Sequence, residues 1–158
     1  MIDISFEATI EPPRLVVTEL MPYPVASVWL AETEGLYVKQ WWAPTDYENL
    51  EVDLTLEVGE SWRVLKRDPQ GNQYAFYGKV ESVQPGQSIE FSLVSELYPD
   101  STISVRQDFA PKDGATIVRT TYKFDSEEAL NTYLALGGPE RLSGASQRLD
   151  TLLTHLNG

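Results

Sequence analysis

The chain has 158 residues, 42% of them hydrophobic, with a formal charge of −12, no cysteine and one histidine. That length suits one domain burying roughly 70% of its unfolded surface, and the apolar and aromatic content excludes disorder. The missing cysteines exclude disulfide frameworks and thiolate metal sites, while the acidic surface repels nucleic-acid phosphates and anionic lipid.

Residues 1–13 are acidic, with no basic region leading into an apolar run, and read as an N-terminal extension rather than a signal peptide. The core of a single domain is expected over residues 14–156. No stretch approaches the roughly 20 apolar residues of a spanning helix, so a cytoplasmic protein without membrane insertion is expected.

Arg14 to Leu20 reads as a first strand, broken by Met21-Pro22-Tyr23-Pro24. Pro24 suits the first position of a helix, where its missing N–H costs nothing, and Val25, Val28 and Trp29 follow at helical spacing. Gly35 interrupts, Leu36 to Trp41 makes a second short helix, and Pro44 ends it. From Asn49 the period changes to two, with Leu50, Val52, Leu54 and Leu56 alternating with charged and polar residues.

Gly59 turns the chain into a strand over Ser61 to Lys66, and Asp68-Pro69-Gln70-Gly71 is a turn. Further strands are expected over Tyr74–Val83, around Ile89 to Leu93, around Ile103 to Phe109, and over Ala115–Phe124. A hairpin loop over Ala110 to Gly114 joins the last two. Six strands separated by short turns predict an antiparallel meander. Ser126 with Glu127 and Glu128 then marks a helix start. After a break at Gly137-Gly138-Pro139, read as a hinged lid or a kink, Leu142, Ala145, Leu149, Leu152 and Leu156 form one apolar stripe.

The order of elements, with Val28-Trp29, Trp41-Trp42 and Pro44, Val58-Gly59 and Trp62, Gly71, Gly78-Lys79-Val80, Phe91 and Gly114-Ala115-Thr116, resembles the START-related SRPBCC superfamily. Within it the chain is similar to the branch homologous to activators of the heat-shock-ninety chaperone ATPase. That resemblance implies an α+β helix-grip fold: a curved antiparallel sheet, made of one N-terminal strand plus a six-strand meander, two short helices, and a long C-terminal helix packed across it. It also implies a cavity between sheet and helix, and a chaperone as one partner. Two departures stand out. Glu60 replaces the second glycine of a frequent Gly-Gly pair, and Ala145 follows Gly144 where the branch often carries tryptophan, which would enlarge or reshape the cavity.

Catalytic machinery is thin. The only histidine, His155, lies near the end of the last helix, where the dipole favours it, so a Ser-His-Asp triad has no base. No zinc-type cluster and no phosphate-cradling glycine loop can be assembled, and no metal, cofactor or catalytic residue is assigned. Glu51, Asp53 and Glu57 share a solvated strand face.

Aromatics and isolated polar groups are the better lead. Trp42, Trp62, Phe76, Phe91, Val105, Gln107, Thr120 and Tyr122 are the candidate ligand-binding residues. Trp42 is expected at the cavity and Trp41 in packing. Gln107 and Thr120 stand in otherwise apolar registers, where an unsatisfied polar group costs about 1–3 kcal/mol. They bond each other or water, or orient a ligand. Three functions stay open: binding of a small hydrophobic or amphipathic molecule or lipid, a chaperone-ATPase-activator-like interaction, and a cyclase- or hydratase-type enzyme. A homodimer stays open as well.

Overall fold

The computed structural model describes residues 1–158. In chain order the elements are β1 (Asp3–Thr9), β2 (Arg14–Met21), α1 (Val25–Thr33), α2 (Gly35–Trp41), β3 (Glu48–Asp53), β4 (Ser61–Arg67), β5 (Gln73–Gln84), β6 (Ser88–Ser95), β7 (Ile103–Lys112), β8 (Ala115–Lys123), α3 (Glu127–Ala135) and α4 (Gly138–Asn157). The strands form one eight-stranded antiparallel sheet in the order β1-β2-β8-β7-β6-β5-β4-β3. β3 to β8 are the expected meander, and β2 joins its last strand across the intervening chain. With α4 packed over the curved sheet, this is the α+β helix-grip fold.

Residues 1–13 do more than extend the domain. Ile2, Ile4 and Phe6 alternate with Asp3, Ser5 and Glu7, and β1 pairs with β2 from Asp3 opposite Leu20 to Thr9 opposite Arg14. Ile2 is buried in the main core, so this strand is an edge of the sheet that the boundary at residue 14 leaves out.

Register shifts at Asn49/Glu51 in β3 and Val80/Ser82 in β5 insert bulges, which bend a strand and increase its twist. The β7–β8 connection is tighter than the expected five-residue loop. Pro111 and Lys112 still pair, with Thr116 and Ala115, and only Asp113 and Gly114 make the turn. Both have positive φ, 50° and 82°, the geometry of the two-residue hairpin that Asp-Gly favours.

Across the sheet, α4 buries Ala145, Ser146, Leu149, Leu152 and Leu153, and α1 adds Val28 and Ala31 to the same core. Side-chain bonds pin the helix: Tyr23 Oη donates to Asp150 Oδ1 at 2.7 Å, and Ser27 Oγ donates to Asn157 at 2.9 Å. Arg148 donates to the carbonyls of Gln40, Ala43, Pro44 and Tyr47 at 2.8–3.3 Å. One guanidinium thus satisfies carbonyls left free where α2 ends, and fixes the Trp41–Trp42 segment to α4. At the start of α3, Ser126 Oγ accepts from Ala129 N at 3.0 Å, the expected N-cap. Gly137-Gly138-Pro139 is a corner between two helices, with Gly138 against the Tyr133 ring.

Trp62 depends on a glycine. It opposes Gly78 across β4–β5, and its indole N–H donates to Ser92 O at 3.0 Å. A Cβ on Gly78 would stand 1.8 Å from Ser92 O and 2.9 Å from the indole nitrogen. Gly78→Ala is therefore expected to destabilise the protein by about 1–3 kcal/mol through overpacking and loss of that bond. Urea denaturation measures it; a midpoint equal to wild type would mean that β6 gives way freely.

Candidate functional site

Between the sheet and α4 lies a cavity of about 120 Å³. An apolar cavity of about 150 Å³ accommodates benzene, so the space suits a small molecule rather than a long lipid tail. Sixteen of its twenty-one lining residues are hydrophobic, and the other five are Glu19, Glu32, Gln107, Thr120 and Ser146.

The apolar wall is a row of edge-to-face aromatic rings. Trp42 meets Trp62 at 5.6 Å between centroids, and Trp62 meets Phe91 at 5.7 Å. Strand alternation places Trp62 on β4 and Phe91 on β6 facing α4, while Trp42 enters from the end of α2. Beside this row, Lys66 is 6% exposed, with Nζ 3.0 Å from Asn49 Oδ1 and 4.0 Å from the Trp42 ring centroid. Burial, followed by the Arg148 charge, draws its pKa down to about 6.

The polar end draws one side chain from each of five elements. Gln107 and Thr120 are direct partners across β7–β8, and Gln107 Nε2 donates to Thr120 Oγ1 at 3.4 Å and to Glu32 Oε1, from α1, at 3.0 Å. Glu32 Oε2 is buried and meets no partner. Glu19 on β2 accepts from Ser146 Oγ of α4 at 2.8 Å. Burial, reinforced by the neighbouring Glu19, pushes the Glu32 pKa up to about 8, which keeps it protonated at neutral pH. Burial also raises Glu19, against the lowering pull of the Ser146 bond. The Tyr122 hydroxyl is driven well above its usual range by burial and by the charges of Tyr133, Glu19 and Glu32.

Of the candidate residues, Trp42, Trp62, Phe91, Gln107, Thr120 and Tyr122 line the cavity together. Phe76 and Val105 do not. Phe76 stands behind Trp42, edge-on at 6.0 Å, and Val105 lies between Phe91 and Tyr122 in one cross-strand row, its short side chain 2% exposed beside two larger rings. Trp41 lines the cavity alongside Trp42, while its indole N–H also donates to Ala31 O at 2.8 Å. Ala145 lines it from above.

Glu19 and Glu32 escaped the sequence reading, although both carried a signal. Glu19 falls in the buried register of β2 with Leu15, Val17 and Met21. Glu32 lies four residues after Val28 and seven after Val25, on the apolar stripe of α1. Their charge made a solvated position the default, and only the packed helix reverses it. No group of three or more His, Cys, Asp or Glu side chains is placed to hold a metal ion, and no helix is long and apolar enough to cross a membrane.

Solved structures with the same architecture include protein Ms6760 from Mycobacterium smegmatis, with a TM-score of 0.86, 23% identity and coverage of 96% of this chain and 97% of that one. A protein from Rhodobacter sphaeroides has a TM-score of 0.87 at 19% identity, covering 98% and 99% of the two chains. The AHSA1 protein from Silicibacter pomeroyi has a TM-score of 0.75 at 18% identity, covering 89% and 97%. No curated protein matches the chain. The family described as Activator of Hsp90 ATPase homolog 1-like protein matches residues 22–154, from the end of β2 through most of α4. The chain therefore belongs to this family, a branch of the SRPBCC superfamily.

Proposed function

We propose that the protein binds a small molecule with an apolar body and one hydrogen-bonding head in the cavity between sheet and α4. The observation that carries this reading is Glu32, whose Oε2 is buried without a partner in the lining of a mostly apolar cavity. A side chain serving only packing would be apolar there, since an unsatisfied buried polar atom costs about 1–3 kcal/mol. A ligand head that bonds Glu32 would remove that cost in the bound state alone. The aromatic row supplies contact area for the body, and Gln107 and Thr120 orient the carboxyl.

Two other readings have their own support. A carboxyl titrating near neutrality suits general acid–base chemistry, so Glu32 is where an enzymatic activity would begin. Deuterium uptake from D₂O into small enolisable ketones measures it, and uptake no faster than without protein removes the idea. The family description supports a chaperone contact by analogy, tested by stimulation of purified chaperone ATPase.

Three of the tryptophans, Trp41, Trp42 and Trp62, line the cavity, so occupancy is expected to change the intrinsic fluorescence saturably with benzene-sized amphipathic compounds. Ala145→Trp, which would fill the space from α4, is expected to abolish that response while the far-ultraviolet circular dichroism persists. A response unchanged in this variant would place binding elsewhere.

The proton on Glu32 also links the cavity to stability. The folded state retains it up to about pH 8, whereas the unfolded chain releases it near 4.5. Its contribution is therefore complete below the unfolded value and is lost as the pH rises toward 8. Relative to wild type, Glu32→Gln is expected to gain roughly 2–4 kcal/mol of stability between pH 5 and pH 8. Denaturant titrations at both values measure the difference, and parallel pH profiles would show that Glu32 does not titrate in this range.

A further inference from the structure

The cavity is one-sided in charge. Glu19 and Glu32 both line it, yet none of its twenty-one lining residues is a lysine, arginine or histidine. Lys66 does not compensate them: it stands among Asn49, Trp42 and Phe76, outside the lining. The groups gathered around Glu32 are Gln107 from β7, Thr120 and Tyr122 from β8, and Glu19 from β2, so no positive charge faces it. An ionised carboxylate in such surroundings needs a counter-charge.

A ligand carrying a neutral acceptor, such as a ketone, would use the Glu32 proton but would gain nothing from a second carboxyl beside it. An ammonium group would use both. Its three N–H donors match the free Oε2 of Glu32, the Glu19 carboxyl and the Thr120 hydroxyl. Bonds between ionised partners are roughly twice as strong as neutral ones. Resting on the cavity reading above, we propose that the ligand is a small lipophilic amine, its ammonium seated between Glu32 and Glu19 and its apolar body against Trp42, Trp62 and Phe91.

Charge and protons balance in a way that can be read. The free ammonium meets a protonated Glu32, the complex pairs ammonium with carboxylate, and one proton leaves to the buffer. Ionising Glu32 at pH 7 costs about tenfold in affinity against its pKa of about 8. The paired charges must return more than this, and they do so only for a cation.

Matched sets separate the chemistries: benzylamine, benzyl alcohol and benzoate, and n-hexylamine, hexanol and hexanoate, titrated calorimetrically at pH 7 in buffers of different ionisation enthalpy. The amine is expected to bind at least about tenfold more tightly than the alcohol, with benzoate and hexanoate weakest, and to release close to one proton. Glu32→Gln, which keeps an acceptor for Gln107, is expected to lose the amine preference and the proton release while still binding the alcohol. Glu19→Gln is expected to weaken the amine more than the alcohol. Equal binding of amine and alcohol, or amine binding unaltered in both variants, overturns the inference and leaves the cavity reading standing. Binding of none of the compounds overturns both.

Discussion

The structure depends on how one amphipathic helix covers a concave sheet. Toward its C-terminal end α4 presents Leu149, Leu152 and Leu153, which enter the main core and close that part of the molecule. Nearer its start it presents Ala145 and Ser146, whose short side chains line the cavity, with Ser146 reaching only as far as the Glu19 carboxyl. The cavity opens beneath these small residues. Arg148 lies between the two regions and holds the end of α2 to the helix, so the tryptophans of that segment become a wall instead of a loose loop. A helix with large residues throughout would have filled the hollow and left no site.

The polar end of the cavity opposes the stability of the fold. Two buried carboxyl groups, one with an oxygen lacking any partner, are a poor way to pack a core. They suit a site that works with them, because a group held protonated by burial can change its charge when a partner arrives. The surrounding frame is stiff enough to keep them in place. Gln107 and Thr120 sit on central strands, paired on both sides, and Ser146 is fixed by the packed helix.

Much of the architecture was legible because it is written in local periods. Alternation marked β4 to β8, spacing of three and four residues marked the last helix, and Pro24, Pro44 and Ser126 marked helix boundaries. The aromatic half of the site was legible for the same reason: Trp62, Phe91 and Tyr122 stand in registers that alternation turns toward the helix. Phe76 and Val105 show where this reasoning stops. A shared face does not say whether a side chain reaches the cavity or is covered by a larger neighbour. The edge strand β1 carried an alternation as clear as the others, but its acidic residues and terminal position obscured it.

By itself the sequence determined the order of elements, the faces they bury and the family to which they belong, because each follows from contacts within a few residues of the chain. Tertiary structure alone decided that Glu32, Glu19, Gln107, Thr120 and Ser146 meet at one end of an aromatic cavity. Those residues come from five elements, and separations as long as the 127 positions between Glu19 and Ser146 leave no local trace. Their charge state was equally a tertiary matter. An isolated glutamate is ionised at neutral pH, and burial, with Glu19 brought beside it, makes Glu32 hold its proton.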